Sequence, residues 1–374
     1  MVDLPSLQFI VLGETAFGSC RQFVMNNLTS LVSFDLGGNR FASVTSFAMI
    51  DLPLLKSIKL NDNAFSNSQS FELMGLSSLE SIEMGNGCFH SASSLTINDL
   101  SHLRSIELGD NAFGLSASFI LHSLPSLQSI ILGNSGFLRT PSFSLTDLPS
   151  LHLFIVGSNA FNNSQSFVMR NLTSLSSVKM GSRSFYSVSS FSMTKLPSLQ
   201  AIELKNSAFA NSKSFELVSF PFLQTIVMED SCFAMTPSIS LVDLPQLHSI
   251  NLGTGAFRWC QSVVLRDLPT LQTITMGSNA FDGDYHSDRK AITKEPYNWK
   301  NTLTIRNLPE LTSIRGCDYS FRYFGSVILE NVPKLQTNDV AFGYNSFYWV
   351  YTLQTSNSKG LEKAIKKRYW PAHH

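Results

Sequence analysis

Residues 100–123 read LSHLRSIELGDNAFGLSASFILHS, and residues 124–147 read LPSLQSIILGNSGFLRTPSFSLTD. Laid over each other without a gap, they agree at Leu, Leu, Ser, Ile, Leu, Gly, Phe, Ser-Phe and Leu. The same 24-residue period runs from Leu4 to Leu268, with starts at Leu4, Leu28, Leu52, Leu76, Leu100, Leu124, Leu148, Leu172, Leu196, Phe220, Leu244 and Leu268. The repeat that begins at Leu268 carries 16 extra residues, so the next begins at Leu308, and a distorted copy follows at Val332. Thirteen clear repeats and one degenerate one fill most of the 374 residues. A strict period of this length marks stacked coils, because one such unit cannot bury its apolar face alone.

Numbered as columns 1 to 24, the consensus is L-P-S-L-x-S-I-x-L-G-x-x-A-F-x-x-x-x-S-F-x-L-x-D/N. Columns 7 and 9 alternate with polar neighbours, as do columns 20 and 22, which predicts two short half-buried strands per coil. Column 24 is Asp or Asn in Asn27, Asp51, Asp99, Asp147 and others, and column 2 is Pro in ten repeats. An acceptor side chain just ahead of x-Pro predicts a turn in which free N–H groups are capped and Pro fixes its own φ. Column 14 is Phe in every clear repeat, and column 20 is Phe in Phe23, Phe47, Phe71, Phe119, Phe143, Phe167, Phe191 and Phe215. Parallel strands about 4.8 Å apart would stack these rings at favourable separations, so two continuous interior Phe stacks are expected.

The segment LRSIELGDNAF at 103–113, with its copies, resembles the core of a leucine-rich repeat. The A-F ending followed by S-F-x-L resembles the BspA-like subclass. The likeness runs from residue 4 to about 350 and implies a β-rich leucine-rich repeat solenoid. The period gives 13–14 coils of 24 residues, with parallel short strands on one face and a second set on the other, and Leu361 and Ile365, four apart in KGLEKAIKKRYW (359–370), predict a short C-terminal helix. The expected organisation is a solenoid over 1–350 with an insertion at 282–300, then a cap or tail over 351–374. The asparagine of standard leucine-rich repeats would fall in column 12, where only some repeats keep it (Asn39, Asn63, Asn111, Asn159, Asn279).

Lys+Arg and Asp+Glu both number 27, a balance that argues against electrostatic nucleic-acid binding. No apolar run approaches the roughly 18 residues of a membrane helix. No leader pattern follows Met1, and the expected compartment is the cytoplasm, or the cell surface if this chain is a piece of a longer one. Met1-Val2-Asp3 fits columns 22 to 24 of a preceding coil, so a longer array or packing of the first coil on another subunit is expected. Five cysteines (Cys20, Cys88, Cys232, Cys260, Cys317) lie too many coils apart for intrachain bridges, and their spacing is not that of a metal site.

The resemblance implies that ligands bind the outward side of the first strand, columns 6 and 8. Column 6 is mostly Ser or Thr. Column 8 varies and includes Lys59, Glu83, Glu107, Ile131, Ile155, Lys179 and Glu203, while Leu153 of column 6 joins Ile131 and Ile155 in an apolar patch. Tyr285, Tyr297 and Trp299 in the insertion form a second candidate contact surface, since aromatic residues favour interfaces. Asp282, Asp284 and Asp288 offer oxygens but lack the spacing of a calcium loop, and no cofactor is expected. The function expected is a non-enzymatic scaffold binding another protein or a glycan, with adhesion or recognition at a cell surface as what the resemblance implies. The alternatives are a polysaccharide-acting β-helix enzyme, which would need carboxylates clustered on one face, and a fragment of a larger repeat protein. A hydroxyl array for ice or crystal binding fails on the irregularity of column 8.

Overall fold

In the computed structural model, residues 1–12, 19–36, 41–283 and 300–368 are described. Two compact units are distinguished: residues 1–188 with 194–196, and residues 189–193 with 197–374. Each is a parallel β-solenoid in which the sequence period and the coil are the same object.

In the first unit, columns 6 to 9 form the strands Ser57–Leu60, Ser81–Met84, Ser105–Leu108, Ser129–Leu132, Leu153–Val156 and Ser177–Met180. They pair in parallel, each column opposite its copy one coil on: Ile82 faces Ile106 and Ile106 faces Ile130. Columns 19 to 23 form the second set, such as Ser46–Ile50 and Ser70–Met74, with Phe47 opposite Phe71. In the second unit, Ala201–Leu204 leads through Thr225–Met228, Ser249–Leu252, Thr273–Met276 and Ser313–Gly316 to Val340–Phe342. The opposite face there is a ladder from Phe215–Val218 to Thr352–Ser356, and this last strand runs beyond residue 350. The distorted copy at Val332 is therefore a full coil. The helix Lys359–Lys366 follows it, burying Leu361, Ala364 and Ile365.

The alternation expected from the sequence is the alternation found: Ser57–Leu60 reads exposed, buried, exposed, buried. The turns differ from expectation in an informative way. Column 24 is left-handed, with φ of 53° at Asp51, 59° at Asp99 and 56° at Asn171. Asp and Asn tolerate that region better than other non-glycine residues. Rather than capping a nearby N–H, their side chains reach the next coil's column 24: Asn171 Nδ2 donates to Asp147 Oδ1 at 2.6 Å, and Asn307 Nδ2 to Asp267 Oδ1 at 2.6 Å. Pro at column 2 sits inside the turn closed by the bond from Leu55 N to Leu52 O, 3.2 Å.

Two further ladders had no visible signal in the consensus. Column 11, written x, bonds coil to coil: Asn86 N donates to Asp62 Oδ1, Asp110 N to Asn86 Oδ1, and Asn134 N to Asp110 Oδ1, at 2.7–2.8 Å. Column 12, where standard repeats keep asparagine, instead supplies left-handed backbone: Asn63 φ 61°, Asn111 58°, Asn159 59°, with Ser135 and Arg183 at 57°. Column 17 carries buried hydroxyls. Thr140 Oγ1 donates to Ser116 O at 2.9 Å and Ser164 Oγ to Thr140 O at 2.6 Å, satisfying carbonyls inside the coil.

The column-14 rings stack as expected: Phe137 to Phe161 at 4.9 Å and Phe161 to Phe185 at 5.0 Å in the first unit, Phe257 to Phe281 at 5.3 Å and Phe281 to Phe321 at 5.2 Å in the second. The column-20 stack is not continuous. Leu95 lies between Phe71 and Phe119, and beyond Phe215 the register passes to Ile239, Val263, Leu303 and Val327. The second unit also holds an apolar cavity of about 20 Å³, lined by Ile239 of this column together with Leu241, Phe281, Phe321 and Leu361 among others. The five cysteines are free thiols, and burial pushes Cys88 up to about 11 and Cys232 to about 12. Such thiols are packing groups, not nucleophiles.

Two substitutions test this packing by denaturant unfolding of the purified chain. Phe161→Ala is expected to cost about 3–5 kcal/mol, because it opens a gap in a fully buried stack. Ile239→Phe is expected to gain about 1 kcal/mol by filling the cavity. A destabilising Ile239→Phe would mean that the aliphatic register is tightly packed as it stands.

Candidate functional site

The coil-to-coil register lines the outward side chains up one strand apart. In the first unit, column 8 runs Lys59, Glu83, Glu107, Ile131, Ile155, Lys179 across successive paired strands. Leu153 lies opposite Ser129 in column 6, beside Ile131 and Ile155. Six of these candidates thus share one line, and Leu153 lies beside it on the same face. Ile131, Leu153 and Ile155 are half-buried and contiguous. Lys59 Nζ donates to Glu83 Oε1 at 2.7 Å, and beside them Lys56 lies 3.9 Å from Glu80. Exposed pairs of this kind contribute under about 1 kcal/mol, so their main consequence is to cancel charge on the surface. Glu107 is exposed, one strand from Glu83 on one side and from Ile131 on the other.

Glu203 stands in the same column in the second unit, opposite Val227, and Asn251, Thr275 and Arg315 continue the line. Thr275 Oγ1 bonds Asn251 Oδ1 at 2.5 Å, and Val227 is 36% exposed. Tyr285, Tyr297 and Trp299, the second candidate surface, lie outside the described residues, as do Asp284 and Asp288.

Asp282, at the root of the insertion, is described. Column 15 places Arg258, Asp282 and Arg322 in successive coils. Asp282 is only 8% exposed, and among the described residues its Oδ1 has no hydrogen-bond partner. Burial pushes its pKa up to about 6, against the opposing pull of the Arg322 and Arg258 guanidinium groups. Arg322 lies over the rings of Tyr319 and Tyr323 at 5.0 and 4.8 Å, and Arg258 over Trp259 at 5.5 Å. A carboxylate flanked by two cations is poorly placed for a calcium ion. Next to it, Gly283 has φ +96°, and a Cβ there would meet Asn301 Nδ2 at 2.8 Å and Tyr323 Cβ at 3.1 Å, so the chain leaves the coil through a position only glycine fills well. The signal for this Arg–Asp–Arg series was present in column 15, but it emerges only when the column is read through the insertion.

The pKa shift carries a sign. Asp282 binds its proton more tightly folded than unfolded, so its contribution to stability is full below about pH 4 and is lost as pH rises through about 6. The difference from the ordinary 3.8 corresponds to about 3 kcal/mol. The melting temperature of the native chain, relative to Asp282→Asn, is expected to fall between pH 4 and pH 6.5. Parallel curves would show that the carboxyl is not held in the neutral form.

Among the described residues no helix is long and apolar enough to cross a membrane, and no cluster of three or more His, Cys, Asp or Glu is arranged to hold a metal ion. Comparison with curated proteins gives no match. Among solved structures, the chain is similar to a leucine-rich repeat protein from Bacteroides ovatus ATCC 8483, at 12% identity over 93% of this chain and 79% of that one, with a TM-score of 0.39. It is also similar to CroV588, a circular leucine-rich repeat protein, at 11% identity over 87% and 66% of the two chains, with a TM-score of 0.19. The model of the BspA type leucine rich repeat region (6 copies) matches residues 10–135, 130–264 and 227–348, and with the 24-residue coils, parallel strands and Phe stacks described above this places the chain in the BspA-type leucine-rich repeat family.

Proposed function

We propose that the chain is a non-catalytic recognition scaffold that binds another protein across columns 6 and 8 of its first-face strands, in adhesion or recognition at a cell surface. The observation that carries this is the division of labour among columns. Columns 1, 4, 7, 9, 13, 14, 20 and 22 fill the core and columns 11, 17 and 24 bond coil to coil, whereas column 8 lies outside the core and pairs side chains from coil to coil only at or near the surface, as in Lys59 with Glu83 and Thr275 with Asn251. Within each unit it stands in register on the paired strands, which presents Lys, Glu, Ile, Val, Asn, Thr and Arg at fixed spacing on a rigid backbone. Such a surface suits recognition of a macromolecule. After Phe9, neither column 6 nor column 8 carries an aromatic ring, and this favours protein over glycan, whose sugar rings stack on aromatic platforms.

Catalysis is disfavoured by the same geometry. Glu83 and Glu107, the neighbouring carboxylates of the face, are solvent-exposed, and Glu83 is engaged by Lys59. A general acid would need burial or a like-charged neighbour shielded from water to hold its proton at neutral pH.

A photo-crosslinking amino acid placed at Glu107 or Val227 is expected to trap partner protein in cells expressing the chain. The same group at Ser144 or Ser240, on the opposite face, is expected to trap little. Crosslinks confined to Ser144 and Ser240 would sink the reading.

A further inference from the structure

The first unit narrows the chemistry of the partner. Of the acidic residues in column 8 near the patch, Glu83 is neutralised by Lys59 one strand away, whereas Glu107 stands exposed at the patch border. Its own strand is entered from Arg104 and left toward Asp110, each three residues away, about 10 Å at strand rise. The next two strands present Ile131, then Ile155 with Leu153 beside it. The face therefore reads anion, apolar, apolar at steps of about 4.8 Å along the stacking direction. On the strand after Ile155, Lys179 closes the apolar run with the opposite charge.

The step length selects the form of the occupant. A helix laid along the stacking direction presents side chains to one side about every 5.4 Å, so over two steps it drifts from the strands by about 1.2 Å, within the reach of a side chain. An extended segment presents same-side residues about every 6.6–6.8 Å, so its second contact falls between the strands of Ile131 and Ile155, and its third overshoots Ile155 by nearly 4 Å toward the strand of Lys179. Charge selects the order. A Lys or Arg one turn ahead of two apolar residues meets Glu107 while the apolar pair meets Ile131 and Ile155, and an acidic residue in that place meets only repulsion.

Resting on the reading of this face as the binding surface, we infer that the first unit takes an amphipathic helical segment of a partner protein, with a cation on Glu107 and two apolar side chains on the patch of Ile131, Leu153 and Ile155. The direction is defined as well: the cationic end of the segment points toward the Lys59–Glu83 pair and the apolar end toward Lys179.

The test uses the full chain and three synthetic helices, each held helical by a side-chain lactam on its far face. One carries Lys, Leu and Leu at positions i, i+4 and i+7, the second Glu in place of Lys, and the third the Lys peptide's residues scrambled. Fluorescence anisotropy is expected to show the Lys helix bound about tenfold tighter than the Glu helix, with the scrambled helix no better than the Glu one. Glu107→Lys is expected to reverse that preference, and Ile131→Ser with Ile155→Ser to weaken the Lys helix about tenfold or more. All these positions face solvent, so the variants are expected to melt like the parent, and the melting curves check it. An unchanged preference in Glu107→Lys, equal binding of Lys and scrambled helices, or no binding of any helix at millimolar concentration overturns the proposal. If the crosslinks still map to Glu107 and Val227 in that case, the binding face stands and only the partner's chemistry is wrong.

Discussion

The structure depends on a phenylalanine held where the backbone resists it. Every described column-14 Phe has φ between 46° and 56°, in the left-handed region that costs a β-carbon-bearing residue about 1–2 kcal/mol. Within each unit that strain is offset only because the ring is buried and stacked on the same ring of a neighbouring coil, at 4.8 Å for Phe41 and Phe65 and 5.8 Å for Phe113 and Phe137. Burial of such a ring contributes about 1.5–3 kcal/mol, and the ring pair about 0.5–1.5 more. Leucine at this position would keep the strain and lose the stacking. Asparagine would relieve part of the strain and lose the burial. Phenylalanine wins on both counts in each coil.

The turn that imposes this φ also explains its neighbours. Column 12 is left-handed two residues earlier, so Asn, Ser and Gly recur there, although Arg183 and Tyr319 occupy it without losing the geometry. Column 13 must be small because it lies against the stack; Ala64, Cys88, Ala112 and Cys232 are each at most 1% exposed. Column 11 then finds itself at the outer edge of the same turn, where its side chain accepts from the backbone of the next coil. Each choice follows from the need to bring one ring inward at the same height in every coil.

This also shows why the fold was legible and the ladders were not. Hydrophobic periodicity and the invariant Phe are carried by single residue types, so a consensus displays them directly. From Asp62 to Asp318 column 11 is Asp, Asn, Ser or Thr, and from Cys20 to Cys260 column 17 is Ser, Thr, Ala, Val or Cys, so a consensus that looks for identity writes both as x. Column 24 was visible as Asp or Asn, but its residues tolerate a left-handed φ as readily as they cap an N–H, and the two roles look alike in sequence. The failure of the second Phe stack beyond Phe215 was already written at Ile239 and Val263. What the letters did not convey was that the stack is dispensable: the aliphatic residues keep the strand register, and of them only Ile239 borders a small void. At the candidate site the outward direction of column 8 was readable from strand alternation, whereas the cancellation of Glu83 by Lys59, which singles out Glu107, required the register.

A scaffold built this way separates stability from specificity to an unusual degree. The core columns are coupled to their copies one coil away through rings, strand hydrogen bonds and side-chain ladders, so a change in any of them is felt by two neighbouring coils. A column-8 side chain shares no ring stack, its pairings such as Lys59 with Glu83 and Thr275 with Asn251 are exposed or half-exposed, and its replacement leaves the strand pairing beneath it intact. The surface is therefore free to change one residue at a time without a matching change in the core, and each change alters the surface by one side chain at a position fixed to within the strand spacing. Recognition on such a face is set by the order of side chains along the stacking direction more than by any single residue. Hence the apolar pair beside Glu107 carries more meaning than the larger but scattered exposures of Met74, Ile120 and Val218 elsewhere on the chain.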